Sequence, residues 1–180
     1  MQAGSAYNHE VYHLIIKPSL RAATKTFVSR NTQHFINTVI RDCFLKHNVQ
    51  KAFSVCLLHR HFDLDQDKRN IEEDSQAVAL TNLDNIYSSS WLFHDRKLLP
   101  YEVKQGDILP TPPADFVAEL GLMLQTNSLY NIIGLQIFQD GIVGMEKIDY
   151  AARISTTVSY PEGAEEVNSP RPLFHPLPFF

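Results

Sequence analysis

Glycine and cysteine are both scarce in this chain, with seven glycines and two cysteines among 180 residues. The glycines are scattered, so no glycine-rich loop exists to cradle a phosphate, and no nucleotide cofactor is expected. Two cysteines are too few to staple a small secreted fold. Cys43 and Cys56 both sit in apolar stretches, where a buried, inert thiol is the simplest expectation. Neither has an adjacent histidine in the sequence to activate it, so neither reads as a nucleophile. Ser88, Ser89 and Ser90 lack the Gly-x-Ser-x-Gly setting of a strained nucleophile elbow.

Basic clusters are missing as well. The net charge is −4, which argues against a nucleic-acid face and against docking to an anionic membrane. No apolar run approaches the roughly 18 residues of a spanning helix, and the first twenty residues lack a charged start followed by an apolar stretch. A soluble, cytoplasmic protein is the expectation. Hydrophobic residues make up 44% and charged residues 20%, a balance that supports a sizeable core in one domain. No internal repeat is evident.

Element by element, residues 9–16 predict an opening strand that Pro18 closes. The segment 32-TQHFINTVIRDCFLKH-47 predicts an amphipathic helix, with Phe35, Ile36, Val39, Ile40, Cys43 and Phe44 as its apolar stripe and Asn31 or Thr32 as its cap. Residues 51–62 alternate and read as a strand, followed by a polar loop over 63–75 and a second strand over 76–83. Those two strands are expected to pair. A short strand is expected near Trp91–His94, then an extended stretch that stops before Gly106. A second helix starts from Thr111 and two prolines, burying Phe116, Val117, Leu120, Met123 and Leu124 and stopping near Asn127. Asp140-Gly141 between the apolar runs 129–138 and 142–148 predicts a hairpin, and a further strand is expected near 154–160. The last twenty residues hold five of the ten prolines and read as an extended or disordered tail, 161–180, outside a domain spanning 1–160. The predicted class is α+β, a mainly antiparallel sheet with two packed helices.

The order of residues in 57-LLHRHFDLDQDKRN-70 looks chemically specific. On a two-residue period one strand face carries Val55, Leu57, His59, His61 and Asp63, running from apolar to imidazole to carboxylate. Two imidazoles on one side can ligate a divalent metal, zinc or iron, with His94 as third ligand and His13, Glu102 or Asp63 behind it. Alternatively one histidine serves as a general base beside Asp63 or Asp95. Arg60 or Arg96 would then hold an anionic substrate group, and Trp91 and Tyr101 would supply walls. The plainer reading is that both histidines meet water or carbonyls where a strand leaves the core. Asp63, Asp65, Asp67 and Asp74 fall at positions 1, 3, 5 and 12 of a calcium loop. Lys68 replaces the glycine at position 6, and Asp replaces the bidentate glutamate at position 12, so a solvated acidic loop fits better.

LLHRHFDL followed by SSSWLFHDRKLLPYEV, over about residues 52–103, resembles a group of small, mostly uncharacterised fungal proteins that carry a Leu-His-x-His-Phe strand before a tryptophan segment ending in Pro-Tyr-Glu. The resemblance implies a fungal, cytosolic origin and directs interest to His59, His61, Trp91, Pro100, Tyr101 and Glu102. It implies no activity.

Taken together, these readings predict a small-molecule-binding protein or enzyme whose histidine acid/base or metal-assisted chemistry centres on His59 and His61, with His94 and Glu102 completing the site. The competing expectation is an interaction module that acts through loop 63–75 or the tail, with a homodimer as one form.

Overall fold

The computed structural model describes residues 18–63, 68–73, 76–81, 85–95, 97–106, 108–138 and 144–159. The predicted strand at 9–16 and the tail 161–180 lie outside them, as do His13, Asp65, Asp67, Asp74 and Arg96.

The first helix, α1 (Leu20–Ser29), starts where the Ser19 side chain accepts the Ala22 N–H at 3.3 Å. It turns Ala23, Thr24 and Phe27 inward and stops before Asn31, a non-glycine residue in the left-handed region at φ 51°. Next come α2 (Thr32–Phe35), a π-helical segment (Ile36–Ile40) and α3 (Arg41–Lys46), which follow one another without a break. The wider π turn changes the phase of the apolar stripe. Ile36, Ile40, Cys43 and Phe44 are buried as expected, while Val39 is exposed. After β1 (Phe53–Leu57) come β2 (Lys68–Glu73), β3 (Gln76–Thr81), β4 (Ile86–His94) and β5 (Lys97–Gln105). Helix α4 (Ala114–Thr126), then β6 (Ile133–Ile137), β7 (Gly144–Asp149) and β8 (Ile154–Ser159) complete the described elements.

The eight strands form one sheet in the order β1-β6-β4-β5-β2-β3-β8-β7. Every pairing is antiparallel except that of β2 with β5, where Ile71 lies opposite Val103. The class is α+β, as predicted, although two sequence-based pairings are replaced and one strand is added. β1 pairs with β6 and not with β3. Residues 68–73, expected in the loop, form β2 and supply the partner of β3, with only residues 74 and 75 between them. The sequence KRNIEE hides this strand because only Ile71 in it is apolar. The Asp140-Gly141 hairpin is also replaced: both edges of β6 are taken by β1 and β4, and β7 pairs with β8. A calcium loop over 63–74 is excluded by the same finding, since a chain extended in a ladder over 68–73 cannot wrap an ion.

Along β4, Trp91 and Phe93 join one apolar cluster while Leu92 joins another. The alternation places the clusters on opposite faces of the sheet. The helix-side cluster packs Phe27, Ile40, Phe44, Phe116, Leu120 and Leu124 against Phe53, Trp91 and Leu135. Phe44 and Phe116 meet edge to face at 4.9 Å. The other face carries Leu58, Phe62, Ile71, Ile86, Leu92, Tyr101 and Val103.

The helix side contains a repeat that the residue identities conceal. Lys46 and Thr126 end helices, Phe53 and Ile133 open strands, and Leu57 and Ile137 close them, each second position 80 residues after the first. Both helices stop in the same way. The N–H of Asn48 bonds to Leu45 O and that of Val49 to Phe44 O, just as the N–H of Ser128 bonds to Gln125 O and that of Leu129 to Leu124 O. Asn48 and Ser128 are left-handed at φ 55° and 54°. Each stop is a Schellman motif whose next residue, Val49 or Leu129, is buried. The two strands that follow pair antiparallel around Val55 opposite Leu135. The two helix–strand units are thus related by a local two-fold axis, preserved in apolar pattern alone.

Candidate functional site

The histidine segment follows β1 and does not extend it. The strand ends at Leu57, and residues 58–62 leave it as a separate extended stretch. Three hydrogen bonds fix this stretch at three successive residues. Leu58 N–H bonds to Ile132 O at 2.8 Å, Arg60 N–H bonds to Pro18 O at 2.8 Å, and the Tyr101 hydroxyl donates to the His59 carbonyl. Leu58 and Phe62 anchor it in the second cluster. Gly134 is required beneath it: a Cβ there would come within 2.6 Å of Trp91 O, 2.7 Å of Leu58 Cδ2 and 2.9 Å of Cys56 Sγ.

His59 and His61 are both buried, each about 5% exposed; of the plainer reading, contact with water or carbonyls where a strand leaves the core, the carbonyl half holds for His59. Their rings stack with centroids 4.4 Å apart and planes 26° from parallel. His59 Nδ1 lies 3.0 Å from Leu57 O. A carbonyl only accepts, so Nδ1 carries the proton and Nε2 is the basic nitrogen of the neutral ring. His61 meets the edge of the Tyr101 ring at 5.9 Å, and its Nε2 lies 3.8 Å from Glu102 Oε1. That distance suits an ion pair and is too long for a hydrogen bond. Glu102 Oε2 accepts the Ser90 hydroxyl at 3.0 Å. The order Ser90, Glu102, His61 differs from a nucleophile triad, in which the serine would face the imidazole. Here Ser90 orients the carboxylate. Ser90 lies opposite Glu102 because the β4–β5 register shifts on either side of it, and such irregularities commonly re-aim side chains.

The other expected site residues are placed differently. His94 sits at the far end of β4, opposite Lys97, with its Nε2 3.5 Å from Asp95. It lies four positions along the strand from Ser90, on the order of 13 Å, so the expected ligand trio His59, His61 and His94 does not converge. Trp91 is buried in the helix-side cluster and packs against Phe53 at 6.2 Å, which removes it as a wall beside the histidines. Arg60 is exposed, with its guanidinium 3.6 Å from Asp63, and it makes no part of the buried pair. Tyr101 and Glu102 are the two that the fold delivers to His61.

A second convergence was not foreseen. Cys43, His47 and Glu119 place a thiol, an imidazole nitrogen and a carboxylate oxygen all within 4.8 Å of one another. Cys43 does have a histidine neighbour: His47 stands one turn on along the helix and its C-cap, a spacing that puts both on one face. Cys-x-x-x-His within a predicted helix was the available signal. His47 Nε2 is 2.8 Å from Glu119 Oε2 and its Nδ1 is 3.6 Å from Asp115 Oδ2. Lys46 Nζ reaches both Glu119 oxygens, at 2.9 and 2.7 Å. Burial pushes the Cys43 thiol up to about 11, with the Glu119 carboxylate adding to the shift. The hydrogen bonds from Lys46 and then His47 hold the Glu119 carboxyl below its ordinary range.

Among the described residues no helix is long and apolar enough to cross a membrane. Compared with protein families, with curated proteins and with solved structures, the chain matches none.

Proposed function

We propose that this protein binds a small molecule beside His59 and His61 and moves a proton at His61. One observation supports the reading above the rest: two buried imidazoles stack, and a serine-oriented carboxylate faces one of them. Burial of so much hydrogen-bonding capacity costs stability unless each group is satisfied, and polar clusters of this kind are characteristic of sites that handle protons. Glu102 orients His61 and supplies the counter-charge when the ring accepts a proton. Catalytic contacts are commonly longer in the free protein than in the complex, and closure of the 3.8 Å gap on binding follows that pattern. His59, held by its Nδ1–H bond to Leu57 O, acts as a positioning residue. Two free thiols suit a reducing compartment such as the cytoplasm, and the resemblance across residues 52–103 supports a fungal setting.

The test is imidazole ¹⁵N NMR during a screen of small metabolites. A ligand should move the His59 and His61 signals in the wild type and bind at least about tenfold more weakly to a folded His61→Gln variant. If every hit instead moves the signals of His34 or His94 and leaves the buried pair untouched, the site is not a binding site.

A further inference from the structure

We propose that Cys43, His47 and Glu119 form a binding site for a divalent cation of the zinc class, spanning the junction of α3 and α4. This site is separate from the His59–His61 pair.

The argument begins with placement. Cys43 and His47 are four residues apart, and so are Asp115 and Glu119 on the facing helix. Residues at that spacing share a helix face, so two packed helices bring four donors to one junction. Phe116 stands between the acidic pair in sequence and packs against both Phe44 and His47, which keeps the helices in register. Three of the donors already lie within 4.8 Å of one another.

Chemistry then narrows the ion. A thiolate, an imidazole and a carboxylate make a mixed set that suits zinc or cobalt and is poor for calcium or magnesium, which take oxygen ligands. Three protein ligands leave a fourth position open to water, as in catalytic zinc sites. Around a tetrahedral zinc the nitrogen and oxygen ligands lie about 3.3 Å apart. His47 Nε2 and Glu119 Oε2, now 2.8 Å apart, would need to separate only slightly. Asp115 beside Nδ1 would then hold the second ring N–H, the usual outer partner of a metal-bound histidine. Lys46 opposes the ion, since it holds both Glu119 oxygens. It is largely exposed and free to swing outward. On binding, the Cys43 S–H bond breaks, the sulfur–metal bond forms, and the proton passes to solvent. No electron is transferred.

Cobalt(II) is the probe, added to chelator-treated, tag-free protein. One equivalent should produce a sulfur-to-cobalt charge-transfer band that Cys43→Ser abolishes and Cys56→Ser retains, and that zinc bleaches by competition. Asp115→Asn should weaken affinity about tenfold, and Lys46→Gln should strengthen it. If Cys43→Ser does not fold, His47→Gln and Glu119→Gln serve instead, with affinity expected to fall at least about tenfold in each. The site is refuted if the wild type shows no such band at excess cobalt, if the band survives Cys43→Ser, or if neither His47→Gln nor Glu119→Gln weakens it.

Discussion

The imidazoles of His59 and His61 are stacked, 4.4 Å between centroids, in a setting where each is about 5% exposed. Two positive charges at that separation would repel by on the order of 4 kcal/mol at an effective dielectric of about 20. Two charged rings are therefore disfavoured, and a carboxylate 3.8 Å from His61 favours a positive charge on that ring over the other.

Removing the carboxylate should expose this dependence. Glu102→Ala deprives the Ser90 hydroxyl and His61 of their shared partner and should cost roughly 1–3 kcal/mol. Glu102→Gln keeps an acceptor for Ser90 and should cost less. Urea denaturation of both variants gives the comparison; equal losses would mean that the Ser90 hydrogen bond is not what orients the carboxylate.

Tyr101→Phe removes the donor to the His59 carbonyl while keeping the ring against His61. A loss of about 1 kcal/mol is expected. Chemical denaturation gives the magnitude, and a shift of the His59 imidazole signal in NMR confirms that the segment has moved.

Gly134→Ala would set a methyl against the Trp91 carbonyl oxygen, a backbone atom that cannot rotate away. The strand or the Leu58 side of the histidine segment must shift, at a cost of roughly 1–3 kcal/mol or more. A lowered melting temperature with displaced His59 and His61 signals is the expected result. An unchanged spectrum would show that the segment is not seated on this glycine.

Ser128 and Asn48 occupy matching left-handed positions after the two helices. Ser128→Gly should raise stability by about 0.5–1 kcal/mol, because glycine adopts that conformation without a Cβ clash. Asn48→Gly should gain less, since asparagine already tolerates it. Thermal melts of the two variants check the order.

The Glu119 carboxyl is held below its ordinary range by Lys46 and His47. A carboxyl depressed in the folded state contributes stability that is present above its unfolded pKa and lost as pH falls through the folded one. In chelator-treated protein, Glu119→Gln should be less stable than the wild type at neutral pH, and the gap should narrow on acidification toward about pH 3. Urea midpoints across that range measure it. A gap that widens would contradict the sign.

Local regularities were legible in the sequence wherever the apolar spacing was strong. The stripes of the helix at 32–46 and of α4 appear as read, apart from Val39, which the π turn exposes. Helix α1 gave a weak signal because its inward face is Ala23, Thr24 and Phe27, with a polar residue at its centre. Strand β2 was hidden for a similar reason. The histidine spacing was informative although the strand ended at Leu57, since an extended chain keeps a period of two whether or not it pairs. Glu102 and Tyr101 lie beside His61, while Trp91 and His94 lie elsewhere on the sheet. Adjacent strand residues face opposite sides, and four residues along a strand is a long way.

The chain by itself indicated its α+β class, two of its amphipathic helices and the shared face of His59 and His61, because those follow from short-range periodicity and side-chain chemistry. Only the tertiary structure decided which strands pair, that two helix–strand units are related by a two-fold axis, and that Cys43 and His47 meet Glu119. Those contacts join residues some 70 to 80 positions apart. Closing such distances depends on how whole faces pack, and the local spacing of residues carries no record of that.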